Sequence, residues 1–156
     1  MRQLDESKMK SFPAGLRTHD YHEIVVGMKE THEYVITPEV YKHFLAAFGD
    51  RSPVHTDENY AKSRGFRGRV MHGSLLNGFV SHFVGMHFPG RSSLLLSVDM
   101  RFSNPSYLGD AIRIDAVVTQ KMDAHNVIVM DATLFNATCN HLAARARINV
   151  MVKDEP

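Results

Sequence analysis

Apolar and polar positions follow two rhythms along this chain, and the rhythm changes past its middle. From His22 to Ile36 the pattern is strand-like, with Ile24-Val25-Val26 and Tyr34-Val35-Ile36 flanking a polar stretch around Gly27. Val40, Tyr41, Phe44, Leu45 and Phe48 then recur at helical spacing. Thr37 offers an N-cap oxygen, Pro38 suits the first helical position, and Gly49 is a helix stop. Asp50 therefore sits just past a short amphipathic helix. Residues 51–56 read as a loop, because Pro53 disfavours helix at Ser52. Asp57 to Ser63 predicts another short helix.

The stretch "HGSLLNGFVSHFVGMHFPG" reads as a longer helix. Its apolar residues spread widely around the circumference, as in a buried helix. Gly78 and Gly85 inside it each cost about 1 kcal/mol relative to alanine, which implies that another backbone comes close. After it come four strand-like runs: "SLLLSVDMRF", "AIRIDAVVTQK", "NVIVMDATLFNAT" and "HLAARARINVMV". "SNPSYLGD" and "MDAHN" supply connecting turns.

Four consecutive strands with short connections predict an antiparallel sheet. The apolar helix is the only element able to cover one of its faces. The expectation is an α+β chain, a curled sheet wrapped around one central helix. Its open edges favour dimerisation. Residues 1–20 read as a loosely packed leader and 21–153 as a single domain.

Composition narrows the function. The chain has 156 residues, 44% hydrophobic and 22% charged, with a net charge of +1. Such a balance supplies no global field for nucleic acid or an anionic membrane. No run reaches the roughly 18–20 apolar residues needed to cross a bilayer. The N-terminus lacks the apolar segment of a secretory signal. A single cysteine, Cys139, forms no internal disulfide. The expected location is the cytoplasm.

Candidate chemistry begins with "GDRSPVHTDENYA". Fully extended, Asp50 and His55 would stand about 17 Å apart, and a turn at Pro53 can bring them together. A carboxylate beside an imidazole can orient one water and move its proton near neutral pH. Spacing alone favours the plainer reading, in which Asp50 caps the turn and His55 bonds a local carbonyl. Gly73 opens the long helix, where backbone N–H groups lack partners and can receive an oxyanion. A glycine placed there only for packing fits as well. Ser81 lies about two turns further on, turned by roughly 80°. It either bonds its own helix or reaches a cavity. Arg64, Arg67 and Arg69, with Lys62, form a basic cluster, solvated or phosphate-binding. The histidines show no metal-ligand spacing and no nucleotide fingerprint occurs.

Taken together, these segments resemble the MaoC-like (R)-specific enoyl-CoA hydratases and acyl dehydratases. "FGDRSPVHTDENYA" is similar to the family's Asp-x-Asn-Pro-x-His motif, with Asp50, Pro53 and His55 matching. "VMHGSLL" resembles its His-Gly helix start, and "MRFSNPSYLGDAIRI" its later strand-turn-strand segment. The resemblance covers roughly residues 22 to 151. It implies a hotdog fold, dimeric or larger, and a hydro-lyase acting on 2-enoyl thioesters of coenzyme A or acyl carrier protein. It implies no cofactor, since coenzyme A is part of the substrate.

In that reading Asp50 and His55 hold water, the Gly73 N–H receives the thioester oxygen, and Ser81 supports the water or Asp50. Ser52, Pro53, Met71, His72, Ser74, Leu75 and Phe79 are then expected around the substrate, and Arg64, Arg67 and Arg69 near coenzyme A phosphates. Ser52 stands where the motif has asparagine, and a serine makes the corresponding turn bond more weakly. A hotdog thioesterase and a non-catalytic acyl-thioester binder are the alternatives.

Overall fold

The computed structural model describes residues 15–153. In chain order the elements are β1 (Lys29–Val35), α1 (Pro38–Phe48), α2 (Pro53–Thr56), α3 (Glu58–Ser63), α4 (Gly73–Met86), β2 (Ser93–Phe102), β3 (Ala111–Met122), β4 (Val127–Asn136) and β5 (His141–Val152). One five-stranded sheet has the order β1-β3-β4-β5-β2, with every neighbouring pair antiparallel. It curls around α4, which makes this the expected α+β hotdog arrangement.

Local sequence explains most of these elements. The Thr37 side chain accepts from the Val40 N–H and Pro38 starts α1, while Gly49 ends it at φ 69°. Asp57 caps α3 by accepting from the Tyr60 N–H. Alternation sets the sheet's inner face: Ile112, Ile114 and Val118 of β3 and Ile148 and Val150 of β5 are buried. Ala116, Ala132 and Ala146 stand opposite one another across β3, β4 and β5. Small side chains there leave volume for the larger residues of α4. Leu75, Leu76, Phe79, Val80, Phe83 and Val84 supply them. Each fully buried aliphatic or aromatic side chain contributes about 1.5–3 kcal/mol.

Three local expectations change. Ile24-Val25-Val26 is not a strand. A 3-10 turn at Tyr21–Glu23 precedes it, only Ile24 enters the core, and Val25 and Val26 are exposed. Pro53 does not merely interrupt the loop; it takes the first position of the one-turn helix α2. Gly78 and Gly85 meet no backbone within the described residues, since a Cβ on either would find nothing within 4 Å.

Residues 1–14 of the expected leader lie outside the described residues. Its end packs tightly rather than loosely. The Arg17 N–H donates to Met86 O and the His19 N–H to Pro89 O, both at 3.0 Å. Gly90, at φ +91°, permits this: a Cβ there would overlap the Arg17 carbonyl.

A cluster of histidines joins β1 to the end of α4. The His32 and His87 rings stack at 3.6 Å, and His82 Nδ1 lies 3.1 Å from the Tyr34 hydroxyl. Burial, and then neighbouring histidines, lower both His32 and His87 below the ordinary 6.5; Arg17 acts the same way and Glu30 opposes it. A depressed histidine favours the fold above its unfolded value and loses that contribution as pH falls. Thermal stability is therefore expected to drop between about pH 7 and pH 5. His87→Phe should flatten that drop, as read by melting curves across this range; an equally steep loss in the variant would contradict it.

Candidate active site

Asp50, His55 and His72 come from three different segments and meet at one point. Gly49 ends α1 and turns the chain so that Asp50 follows in an Asx turn. Its Oδ1 accepts the Ser52 N–H at 3.1 Å. Ser52 makes no side-chain cap of its own, so Asp50 supplies the turn bond. Thr56 Oγ1 donates back to the Arg51 and Ser52 carbonyls at 3.1 and 3.2 Å. Together these bonds hold α2, and with it His55, against the end of α1. The Tyr41 hydroxyl donates to His55 O at 2.6 Å and pins α2 from below.

The His55 tautomer follows from its partner. Nδ1 lies 2.6 Å from Val70 O. A carbonyl only accepts, so Nδ1 donates, and in the neutral tautomer the lone pair is on Nε2. One ligating atom each from Asp50, His55 and His72 lies within 4.8 Å of the others. One water spans that distance with two ordinary hydrogen bonds. Asp50 is 54% exposed on its side chain, so water reaches it.

A cavity of about 500 Å³ adjoins this cluster. His55, Met71, His72, Gly73 and Ser74 line one side, with Phe66 and Leu76; Phe102, Ser103, Asn104, Pro105 and Ser106 line the other. Gly73 is the first residue of α4, so its N–H has no carbonyl to meet within the helix. Gly73 lines the cavity, so the positive end of the α4 dipole lies at its wall. Phe102 closes on the same spot: a Cβ at position 73 would lie 2.8 Å from its ring. Any side chain at this position would have to displace that ring. The facing wall is fixed by the Met71 N–H bond to Ser106 O at 2.8 Å.

Asp110 holds that wall. It is buried and accepts from Arg67 Nη2 at 2.8 Å, the Tyr107 N–H at 2.8 Å and Asn136 Nδ2 at 2.6 Å. The Arg67 guanidinium also covers the Tyr107 ring at 4.1 Å.

The structure thus gathers only part of the expected set. Asp50, His55, Met71, His72, Gly73 and Ser74 come together. Ser52 and Pro53 form the turn beneath His55 rather than the lining. Leu75 and Phe79 face the core, with Phe79 stacked on Tyr34 at 4.6 Å; Leu76 reaches the lining instead. Ser81 is exposed two turns along α4 and lies outside the cavity. Arg67 is committed to Asp110. Arg64 ends α3 in the open, and Arg69 borders a separate hollow with Tyr41 and Arg51. Phe66, Leu76, Phe102, Asn104 and Ser106 were not anticipated.

A larger hollow, about 660 Å³, lies on the outer face of the sheet. Its carboxylates include Asp131, which already pairs with Arg147 at 3.2 Å, and Asp115, which pairs with Arg113 at 2.9 Å. It offers no acid/base pair comparable to Asp50 and His55.

Two histidines and a carboxylate are also a donor set for zinc. The fit fails at His72. A ligating Nε2 would force the proton onto Nδ1, which is buried with no hydrogen-bond partner among the described residues. Metal-bound histidines almost always donate from that other nitrogen. The cluster is suited to handling water and protons.

The family model of the MaoC like domain matches residues 24–138. An (R)-specific enoyl-CoA hydratase of Rhodospirillum rubrum is 28% identical over 101 residues, 65% of this chain and 70% of that one. A 3-hydroxybutyryl-CoA dehydratase of Methylorubrum extorquens is 28% identical over 105 residues, 67% of each. Among solved structures, an unliganded R-hydratase from Pseudomonas aeruginosa superposes with a TM-score of 0.82 at 28% identity, covering 90% of this chain and 89% of that one. The family match contains Asp50, His55 and Gly73 and spans most of the sequence, so this chain belongs to the MaoC-like domain family.

Proposed function

We infer that the protein is a hydro-lyase that adds water across the 2,3 double bond of a 2-enoyl thioester, giving the (R)-3-hydroxyacyl thioester, or runs the reverse dehydration. One observation carries this reading: a carboxylate oxygen of Asp50 and a ring nitrogen of His55 within the span of one water, beside a cavity lined by the first residue of a long helix. The relatives named for enoyl-CoA hydration and 3-hydroxybutyryl-CoA dehydration support it.

The chemistry follows from the geometry. The Gly73 N–H receives the thioester oxygen and stabilises the enolate that forms as C3 is attacked. Water sits between Asp50 and His55 Nε2. Its oxygen bonds to C3, Asp50 takes one of its protons, and His55 orients the other hydrogen. The proton held by the pair then goes to C2, so the whole of one water is added. Phe66, Met71, Leu76 and Phe102 offer an apolar wall for the acyl chain. We propose that no metal or other cofactor takes part, coenzyme A or its carrier-protein equivalent being part of the substrate. Loss of the conjugated enoyl absorbance with crotonyl-CoA and longer analogues tests the reading. Absence of hydration at every length, with free thiol released instead, would favour hydrolysis.

We also propose that two copies pair through β2. This strand is an outer edge of the sheet, with Leu94 and Leu96 52% and 46% exposed. Gly78 and Gly85 leave open space on α4 for a second helix. Sedimentation should give twice the chain mass for the wild type and the single chain mass for Leu96→Glu. A monomeric wild type would contradict this pairing. No described helix is long and apolar enough to cross a membrane, and we place the enzyme in the cytoplasm, an assignment that the free Cys139 suits and that fractionation of cells would test.

A further inference from the structure

His72 does more than line the cavity. Its Nε2 stands 3.0 Å from the backbone oxygen of Asp50 and 3.4 Å from its carboxylate. Its ring stacks on His55 with centroids 3.8 Å apart and planes 30° from parallel. Phe44 packs on it at 4.9 Å and Tyr41 at 6.0 Å. Only 5% of the residue is exposed. One buried ring thus touches both halves of the pair that handles water.

We propose that His72 is a positioning residue, whose Nε2–H fixes the Asp50 backbone while its face sets the plane of the His55 imidazole. The proposal rests on the hydration reading for its kinetic part only. The tautomer is dictated by the surroundings: the Asp50 carbonyl accepts, so Nε2 must donate. Nδ1 is buried without a partner among the described residues, which is tolerable for a lone pair and poor for an N–H. Burial and the neighbouring His55 lower the ring below the ordinary histidine range, against the opposing pull of Asp50. His72 therefore stays neutral and places no charge against the stacked His55 or against the Asp50 carboxylate 3.4 Å away.

Three arms test this. His72→Gln keeps an N–H for the Asp50 carbonyl but loses the stack; His72→Phe keeps the stack but loses the donor. Both should lower kcat, by about 10-fold or more, with KM changed less than about 3-fold, and glutamine should be the better of the two. The pH–rate profile of His72→Gln should keep both limbs of the wild type after scaling. Loss of a limb would make His72 a proton-transfer group and overturn the proposal. Equal loss in both variants, tracking only a fall in folded fraction, would reduce His72 to packing and also overturn it. Nitrogen-15 imidazole spectra provide a readout without substrate. They should show a neutral His72 protonated at Nε2 in the wild type, and altered His55 signals in His72→Phe. Charged or Nδ1-protonated His72 near neutral pH would refute the proposal even if the protein hydrates nothing.

Discussion

Asp50→Asn is expected to lower kcat for enoyl-CoA hydration by about 1000-fold or more while the fold stays intact. The amide has nearly the same shape as the carboxylate. Its oxygen can still accept the Ser52 N–H that closes the turn after α1. What it loses is the negative charge and the site for a proton. Without them the water beside His55 has one acceptor in place of two, and no group able to take its proton next to C3. The side chain is more than half exposed, so the stability change should remain within about 0.5 kcal/mol. Circular dichroism and a melting curve check the fold; progress curves at saturating substrate check the rate. Turnover near the wild-type level would place the base elsewhere.

The largest expected effect on stability comes from Asp110→Ala, which should cost about 2–3 kcal/mol through buried donors left unpaired. The carboxylate collects donors from Arg67, Tyr107 and Asn136, and more distantly from the Cys139 thiol. Arg67 is half exposed and can turn to water. Asn136 is fully buried, so its amide would be left without a partner. For a domain of this size the melting temperature should fall by roughly 10 °C. Activity should suffer as well, because the 103–110 segment carries the Ser106 carbonyl that holds Met71 beside Gly73. The expected sign there is a raised KM at temperatures where the variant is still folded. A variant melting within a degree of the wild type would show that the network contributes nothing net.

Much of the architecture was legible in the sequence because it is local. Thr37, Pro38 and Gly49 bracket α1 by capping chemistry alone, and the alternation in the last third dictates β3 to β5. Ile24-Val25-Val26 misled because three apolar residues in a row look like a buried strand; only Ile24 finds the core. The apolar circumference of α4 hid which face meets the cavity, so Leu75 was expected where Leu76 stands. His72 had a neighbour in sequence, Gly73, that drew attention first. Its role depends on the 66–72 loop folding back onto α1 and α2, which no spacing reveals. The same holds for Arg67, whose partner Asp110 lies far along the chain. Asp50 and His55 were recognisable as a pair only through the motif. The structure adds that Asp50 closes the turn and also lies within one water's span of His55, so the two alternatives that spacing allowed are compatible.

The most direct measurement follows crotonyl-CoA with the wild-type protein by enoyl absorbance, with a free-thiol assay on the same samples and chiral analysis of the product. The account predicts loss of the conjugated absorbance, no thiol release, and (R)-3-hydroxybutyryl-CoA as the product. Undiminished absorbance over a panel of chain lengths, or thiol released in step with substrate loss, would contradict it.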